Sequence, residues 1–269
     1  MEINCYICSQ SNNIENSSYN KKIMEVQDLE KIVKGQSSSA NMERDLSRSA
    51  AFPVLMRKVY IWMTMALVIT GLCAWGVATS PSMVNIVYGN RAAMWVLLLA
   101  ELGLVFYTTA RINRLSLSTA TTLFIIYSAL NGVTMSFIFM AFAISTIAKV
   151  FFITAATFGV TAVYGYVTKA DLSKFGNILL MALFGLIIAT VVNMFIKSGS
   201  LDLVLSYIGV ILFVGLTAWD SQQIKRMLAM QGGLDEGAQK VALLGALTLY
   251  LDFINLFLYL LRIFGRNDN

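Results

Sequence analysis

The sequence predicts an all-α polytopic membrane protein with seven transmembrane helices. Three observations carry the helix count. Apolar residues make up 57% of the 269-residue chain and charged residues only 13%, a balance that argues against a soluble domain. Uncharged runs of about 18 or more residues recur along it, each long enough to cross a bilayer as a helix. Charged residues fall between the runs and punctuate them, and no stretch shows the alternating ten-residue pattern of a membrane barrel.

Residues 1–50 differ from everything that follows, being rich in Asn, Ser, Lys and Glu and lacking an apolar run. They do not begin with the basic-then-apolar order of a signal peptide. They read as a disordered tail, with a short helix around IMEVQDLEKIVKG, or as the product of a start codon assigned too far upstream. Cys5 and Cys8 form a C-x-x-C within it, but zinc takes four ligands and neither a second pair nor any histidine exists. The transmembrane domain occupies 51–266, and 267–269 form a C-terminal tail. Its spans are expected at 59–79, 90–110, 119–141, 150–168, 177–196, 203–224 and 245–263.

Lysine and arginine in the short connections set the orientation. With the N-terminus in the cytoplasm, the inner side carries Arg57, Lys58, Arg111, Arg114, Lys169, Lys174, Lys225, Arg226 and Lys240, against Arg91, Lys149 and Lys197 outside. Arg262 and Arg266 break this asymmetry if the last segment crosses fully, and keep it if that segment is re-entrant. Seven full spans fit the lengths better, in a cell (inner) membrane. The net charge of +5 is spread over loops, so no concentrated basic face for nucleic acid exists. The expected partners are the lipid bilayer and, on the carboxylate chemistry below, calcium ions.

Three acidic residues fall inside spans: Glu101, Asp220 and Asp252. A carboxylate at the centre of a span costs roughly 2.5–3.5 kcal/mol on insertion scales, so each calls for a partner or a task. Asp220 lies about 7 Å along the helix from Lys225, and Asp252 about 10 Å in from Gly245. Arg111 ends the second span on the same side, so three residues from three helices converge on one level. Glu101 sits about 15 Å deeper than Arg111, near mid-membrane. Two carboxylates at close range in low dielectric resist simultaneous ionisation and titrate in coupled steps. A guanidinium there locks one of them in a bidentate pair that protonation weakens. With no histidine in the chain, such a carboxylate pair is the available pH switch. Carboxylates are also the hard oxygens that calcium prefers, which makes Asp220 and Asp252 candidate calcium ligands, with Asn255 one turn on adding an amide oxygen. The ordinary alternatives are an interfacial or capping Asp220, a Glu101 bonded to a neighbouring helix, and an Arg111 that serves only the positive-inside asymmetry. The glycines Gly71, Gly132, Gly209 and Gly215 read as helix-packing positions.

The stretches ELGLVFYTTARINRLS, YSALNGVTMSFIF, FVGLTAWDSQQIKR and LYLDFINLFLYLLRIFG carry a family resemblance. Over about 45–266 the chain resembles bacterial members of the Bax inhibitor family (transmembrane BAX inhibitor motif proteins). The resemblance implies a last helix that is central and surrounded by the other six, and a pH-sensitive calcium leak channel. It further implies a paired-aspartate sensor and gate, mapping onto Asp220 and Asp252, and an arginine latch mapping onto Arg111. Glu101 matches an acidic position of the ion path, and Asn255 is placed there too. Some eukaryotic relatives suppress cell death and some bacterial ones modulate a membrane protease. The connection RMLAMQGGLDEGAQK is longer than the family's and bears on gating.

Three other function classes compete. An intramembrane aspartyl protease also pairs two aspartates to activate water. It would carry Gly-x-Gly before one aspartate and a Pro-Ala-Leu segment, whereas Tyr250 and Leu251 precede Asp252 and no proline follows Pro81. An enzyme is therefore not expected, and no cofactor is implied, calcium being the transported ion. A regulator that binds another membrane protein, such as a protease or a stress or cell-death factor, would not need the aspartates. A cation/proton exchanger would use the same carboxylates but couple the two gradients.

Overall fold

The computed structural model describes residues 50–265, as an all-α bundle. The expected tail with its short helix, Cys5 and Cys8, Arg266 and the last three residues lie outside the described residues. The elements are α1 (Ala50–Ala78), α2 (Pro81–Tyr88), α3 (Arg91–Arg111), α4 (Leu117–Met135), α5 (Phe137–Ala141), α6 (Ile144–Val167), α7 (Ser173–Ile196), α8 (Gly199–Ala229) and α9 (Glu236–Gly265). Counting α4 and α5 as one crossing, seven helices are long and apolar enough to span a membrane.

Local chemistry sets several of the boundaries. Asn90, Ser116 and Ser198 each accept a backbone N–H at the start of α3, α4 and α8, which satisfies donors that a helix start otherwise leaves orphaned. Pro81 sits in the first turn of α2, where its missing N–H costs nothing. Lys197 takes a left-handed conformation (φ 55°) that stops α7 and turns the chain into α8.

Two boundaries depart from the expected spans. The crossing anticipated at 119–141 is broken at Ser136. There the Tyr88 hydroxyl donates to Thr134 O at 2.9 Å and accepts from Phe137 N at 3.0 Å, while Ser136 Oγ donates to Val133 O at 2.7 Å. Hydroxyls inserted into the backbone ladder are a recognised cause of such breaks. The helices bearing the aspartates run to Ala229 and from Glu236, so residues 230–235 alone connect them. An apolar-run reading stops at the first charges, whereas the helices continue beyond the hydrocarbon. The expected long connection is thus mostly helix.

Burial ranks the helices. Of the apolar window of α9, 61% is buried, against 6% for α3 and 11% for α7. The last helix is therefore the core, and α3 and α7 are peripheral. Helices α8 and α9 run antiparallel, with Ile224 against Gly245, the Tyr259 ring on Gly209, and Arg262 3.7 Å from Asp202. That last pair lies at the far end of both helices, so α9 runs unbroken along α8 and is long enough to span a membrane. At the end that gathers Lys58, Arg111, Lys225 and Lys240 (the basic end), Glu236 accepts from Leu117 N at 2.8 Å, and Lys58 donates to Gln239 at 2.8 Å. These contacts tie the start of α9 to α1 and to the turn before α4.

Gly132 and Gly209 serve close packing as expected, whereas nothing lies within 4 Å of a side chain built at Gly71. The tightest approach is one the sequence did not single out. A Cβ at Gly165 on α6 would sit 2.1 Å from the Ala218 carbonyl oxygen on α8, while one at Gly185 on α7 meets nothing within 4 Å. Gly165→Ala should therefore destabilise the bundle by about 1–3 kcal/mol, the range for forcing atoms into a filled interface. Gly185→Ala should be neutral or slightly stabilising through helix propensity. Thermal unfolding in one detergent compares them; equal melting temperatures would refute the packing assigned to α6 and α8.

Candidate functional site

A cavity of about 710 Å³ lies among α3, α4, α7, α8 and α9. Glu101 from α3, Asp220 from α8, and Asp252 and Asn255 from α9 all line it. Four of the five residues singled out from the sequence are thus brought to one space. The carboxyl groups of Asp220 and Asp252 meet side chain to side chain. Asp252 is only 5% exposed, and its Oδ2 has no hydrogen-bond partner. Asn255 donates Nδ2 to Leu251 O at 2.8 Å, within its own helix.

Arg111 is the residue the structure does not bring in. It ends α3, is exposed, and forms no ion pair among the described residues. Glu101, ten residues earlier on the same helix, is the charged residue of α3 that shares the cavity with the aspartates.

Glu101 is held by α4. Its carboxylate accepts from Thr134 Oγ1, and Asn131 lies within bonding range of it as well. Tyr127, one turn before Asn131, lines the cavity and stands edge-on to Tyr250 with ring centroids 5.9 Å apart. The Tyr250 hydroxyl in turn shares a 2.7 Å hydrogen bond with Thr70 of α1. A polar seam therefore runs through the bundle from Thr70 to Glu101. Tyr127, Asn131 and Thr134 had been quoted only as part of a family stretch. Their spacing (i, i+4, i+7) places them on one helix face, and that was the signal available to find them.

The basic residues near the site are engaged elsewhere. Lys225, five positions after Asp220, donates to Tyr166 O at 2.6 Å and sits over the Tyr166 ring. Arg226 pairs with Asp171 at 2.7 Å and bonds Ser173, and buried Gln222 both donates to Ala170 O and accepts from Leu172 N. The end of α8 thus clamps the α6–α7 connection. The Arg226 guanidinium, together with the Ser173 N–H, holds the Asp171 carboxyl below the usual carboxylate range. No lysine or arginine lines the cavity among the described residues. Those residues also contain no group of three acidic, cysteine or histidine side chains placed to grip one metal ion.

Comparison with known proteins follows the same boundaries. The family model described as inhibitor of apoptosis-promoting Bax1 matches residues 53–269. The inner membrane protein YbhL of Escherichia coli (strain K12) is 48% identical over 217 residues, covering 80% of this chain and 93% of the relative. An uncharacterized protein of Borreliella burgdorferi is 42% identical over 214 residues, covering 80% and 92% respectively. An uncharacterized membrane protein of Streptococcus pyogenes serotype M1 is 45% identical over 168 residues, covering 62% and 72%. The matched region takes in the cavity and every residue that lines it, and this seven-helix membrane protein belongs to the Bax inhibitor family.

Proposed function

We propose that the protein is a passive, pH-sensitive calcium leak of the inner membrane. Asp220 and Asp252 are its proton sensor and gate, Glu101 and Asn255 lie on the ion path, and Arg111 is the latch. The observation that carries this reading is the meeting of Asp220 with Asp252 in a cavity that Glu101 also lines and that no lysine or arginine lines among the described residues. Oxygen-only donors suit calcium. A passage must also release what it binds, and a loose set of carboxyls does so more readily than the six to eight oxygens of a storage site. The basic end faces the cytoplasm in this reading, by the lysine and arginine asymmetry, and the membrane is that of the Escherichia coli relative. The process has no chemical step and needs no cofactor.

Gating follows from charge. With both aspartates ionised, the pair attracts the Arg111 guanidinium and the passage is shut. Protonation removes that attraction. Helix α3, which packs on α2 and α4 and is the least buried of the spans, is the element that would carry Arg111 inward or let it go. Glu101, Tyr127 and Tyr259 are the other titratable groups that line the cavity.

Calcium flux into proteoliposomes should therefore rise as pH falls from 8 to 5, by at most about tenfold per pH unit for a one-proton gate. Asp220→Asn and Asp252→Asn should each give a flux that no longer responds to pH. Flux absent from folded wild type at every pH would sink the proposal. Glu101→Gln should lower the flux at all pH values and leave its midpoint in place, because it removes a path charge and keeps the sensor.

Asp171 supplies a control whose sign is fixed by its environment. Its folded-state carboxyl titrates lower than in the unfolded chain, so its pairing with Arg226 is present above the ordinary carboxylate range and fades only below it. Across pH 5–8 it stays ionised. Asp171→Asn should leave the pH profile of flux unmoved, and a shifted midpoint would relocate the sensor to the α6–α7 connection.

A further inference from the structure

The cavity that holds the carboxyl groups also opens sideways. Helix α3 packs on α2 and α4, and α7 packs on α8, but α3 and α7 share no packing seam. Between them the cavity is walled by Leu99, Leu102 and Phe106 of α3 and Leu180 and Ile187 of α7. All five are exposed large apolar side chains, so this wall is continuous with the lipid-facing surface. The deep side is acidic, with Glu101, Asp220 and Asp252, and carries no basic residue among the described residues. The whole space, about 710 Å³, falls within the roughly 300–1,000 Å³ of ordinary ligand pockets.

An aqueous ion path does not need this apolar mouth. A molecule with a cationic head and a hydrocarbon chain matches it at both ends. We propose that the opening between α3 and α7 is a bilayer-side binding site for a long-chain alkylammonium amphiphile. Its head lies against Asp220 and Asp252, in the cavity that Glu101 also lines, and its chain lies between Leu102 and Phe106 on one side and Leu183 and Ile187 on the other. Asp252, 5% exposed and lining the cavity, keeps an Oδ2 with no hydrogen-bond partner, an acceptor that a head entering the cavity would satisfy. A zwitterionic phospholipid is the poorer fit, because its phosphate would enter beside three carboxyls with no cation to meet it. The site goes beyond the leak reading and does not depend on it, since binding is measurable with no ion gradient.

The test uses the full chain in lipid nanodiscs and a stearylamine bearing a mid-chain diazirine, with the matching stearyl alcohol and a diazirine phosphatidylethanolamine as comparisons. After illumination, peptide mapping should place amine adducts on α3 and α7 around Leu99–Phe106 and Leu180–Ile187. They should saturate and be displaced by excess octadecyltrimethylammonium. The alcohol should label these residues about tenfold less, the scale of one charge-assisted hydrogen bond. Glu101→Gln combined with Asp220→Asn and Asp252→Asn should bring amine labelling down to the level of the alcohol. Leu183→Trp keeps every carboxyl and fills the mouth, and should abolish the adducts even if the triple variant fails to fold. Equal labelling by amine and alcohol, or adducts that persist in Leu183→Trp, would overturn the site. Equivalent labelling by the phosphatidylethanolamine would overturn the choice of a simple alkylammonium.

Discussion

A carboxyl group enclosed by apolar helices, with an oxygen that nothing bonds, must be neutralised by a proton, by a second charge, or by something that arrives from outside. Asp252 is in that position, and the ionisable side chain set against it among the described residues, Asp220, is another acid. The cost of holding such groups in a span, roughly 2.5–3.5 kcal/mol each, falls on the packing around them. The surrounding packing is correspondingly tight. Tyr259 lies on Gly209, Ile224 on Gly245, and the Gly165 backbone on that of Ala218, two residues from the acid. Each contact fixes α8 against α9 or α6, and so holds the two carboxyls facing each other.

The same constraint explains where the cations are. Lysine and arginine near the end of α8 would neutralise the pair if they folded back toward it. Instead Lys225 is bound by the Tyr166 carbonyl and ring, and Arg226 by Asp171 and Ser173. With both engaged there, no lysine or arginine among the described residues lines the cavity that holds the acids. Helices α6, α8 and α9 pack together around the acids, while α3 and α7 stand at the periphery with the cavity between them. In the proposed gating, motion of α3 would change what reaches the acids.

Much of this was legible in the residues. Seven apolar runs and two acids in the last two of them follow from hydropathy and charge alone, because a bilayer leaves so few alternatives. Helix ends were less legible. The run ending near 224 continues to Ala229 because a helix outside the hydrocarbon tolerates charge. The grouping of side chains was legible only in part. Axial rise put Arg111 level with the aspartates, but rise says nothing about which way a side chain points, and Glu101 is the charged residue of α3 that lines the cavity. Thr134 and Asn131 explain why, since they offer hydrogen bonds to that carboxylate from α4. The break at Ser136 was not legible within its own segment, because the hydroxyl that makes it comes from Tyr88 of α2.

The central claim is that Asp220 and Asp252 share their protons as one unit inside the bundle. Infrared difference spectroscopy of the reconstituted protein between pH 8 and pH 5 tests this directly, through the C=O stretch of a protonated carboxyl in an apolar setting. The account predicts a band that grows on acidification and is absent from the difference spectra of both Asp220→Asn and Asp252→Asn. A band that survives unchanged in either variant would show that the two residues titrate independently, and would contradict the account.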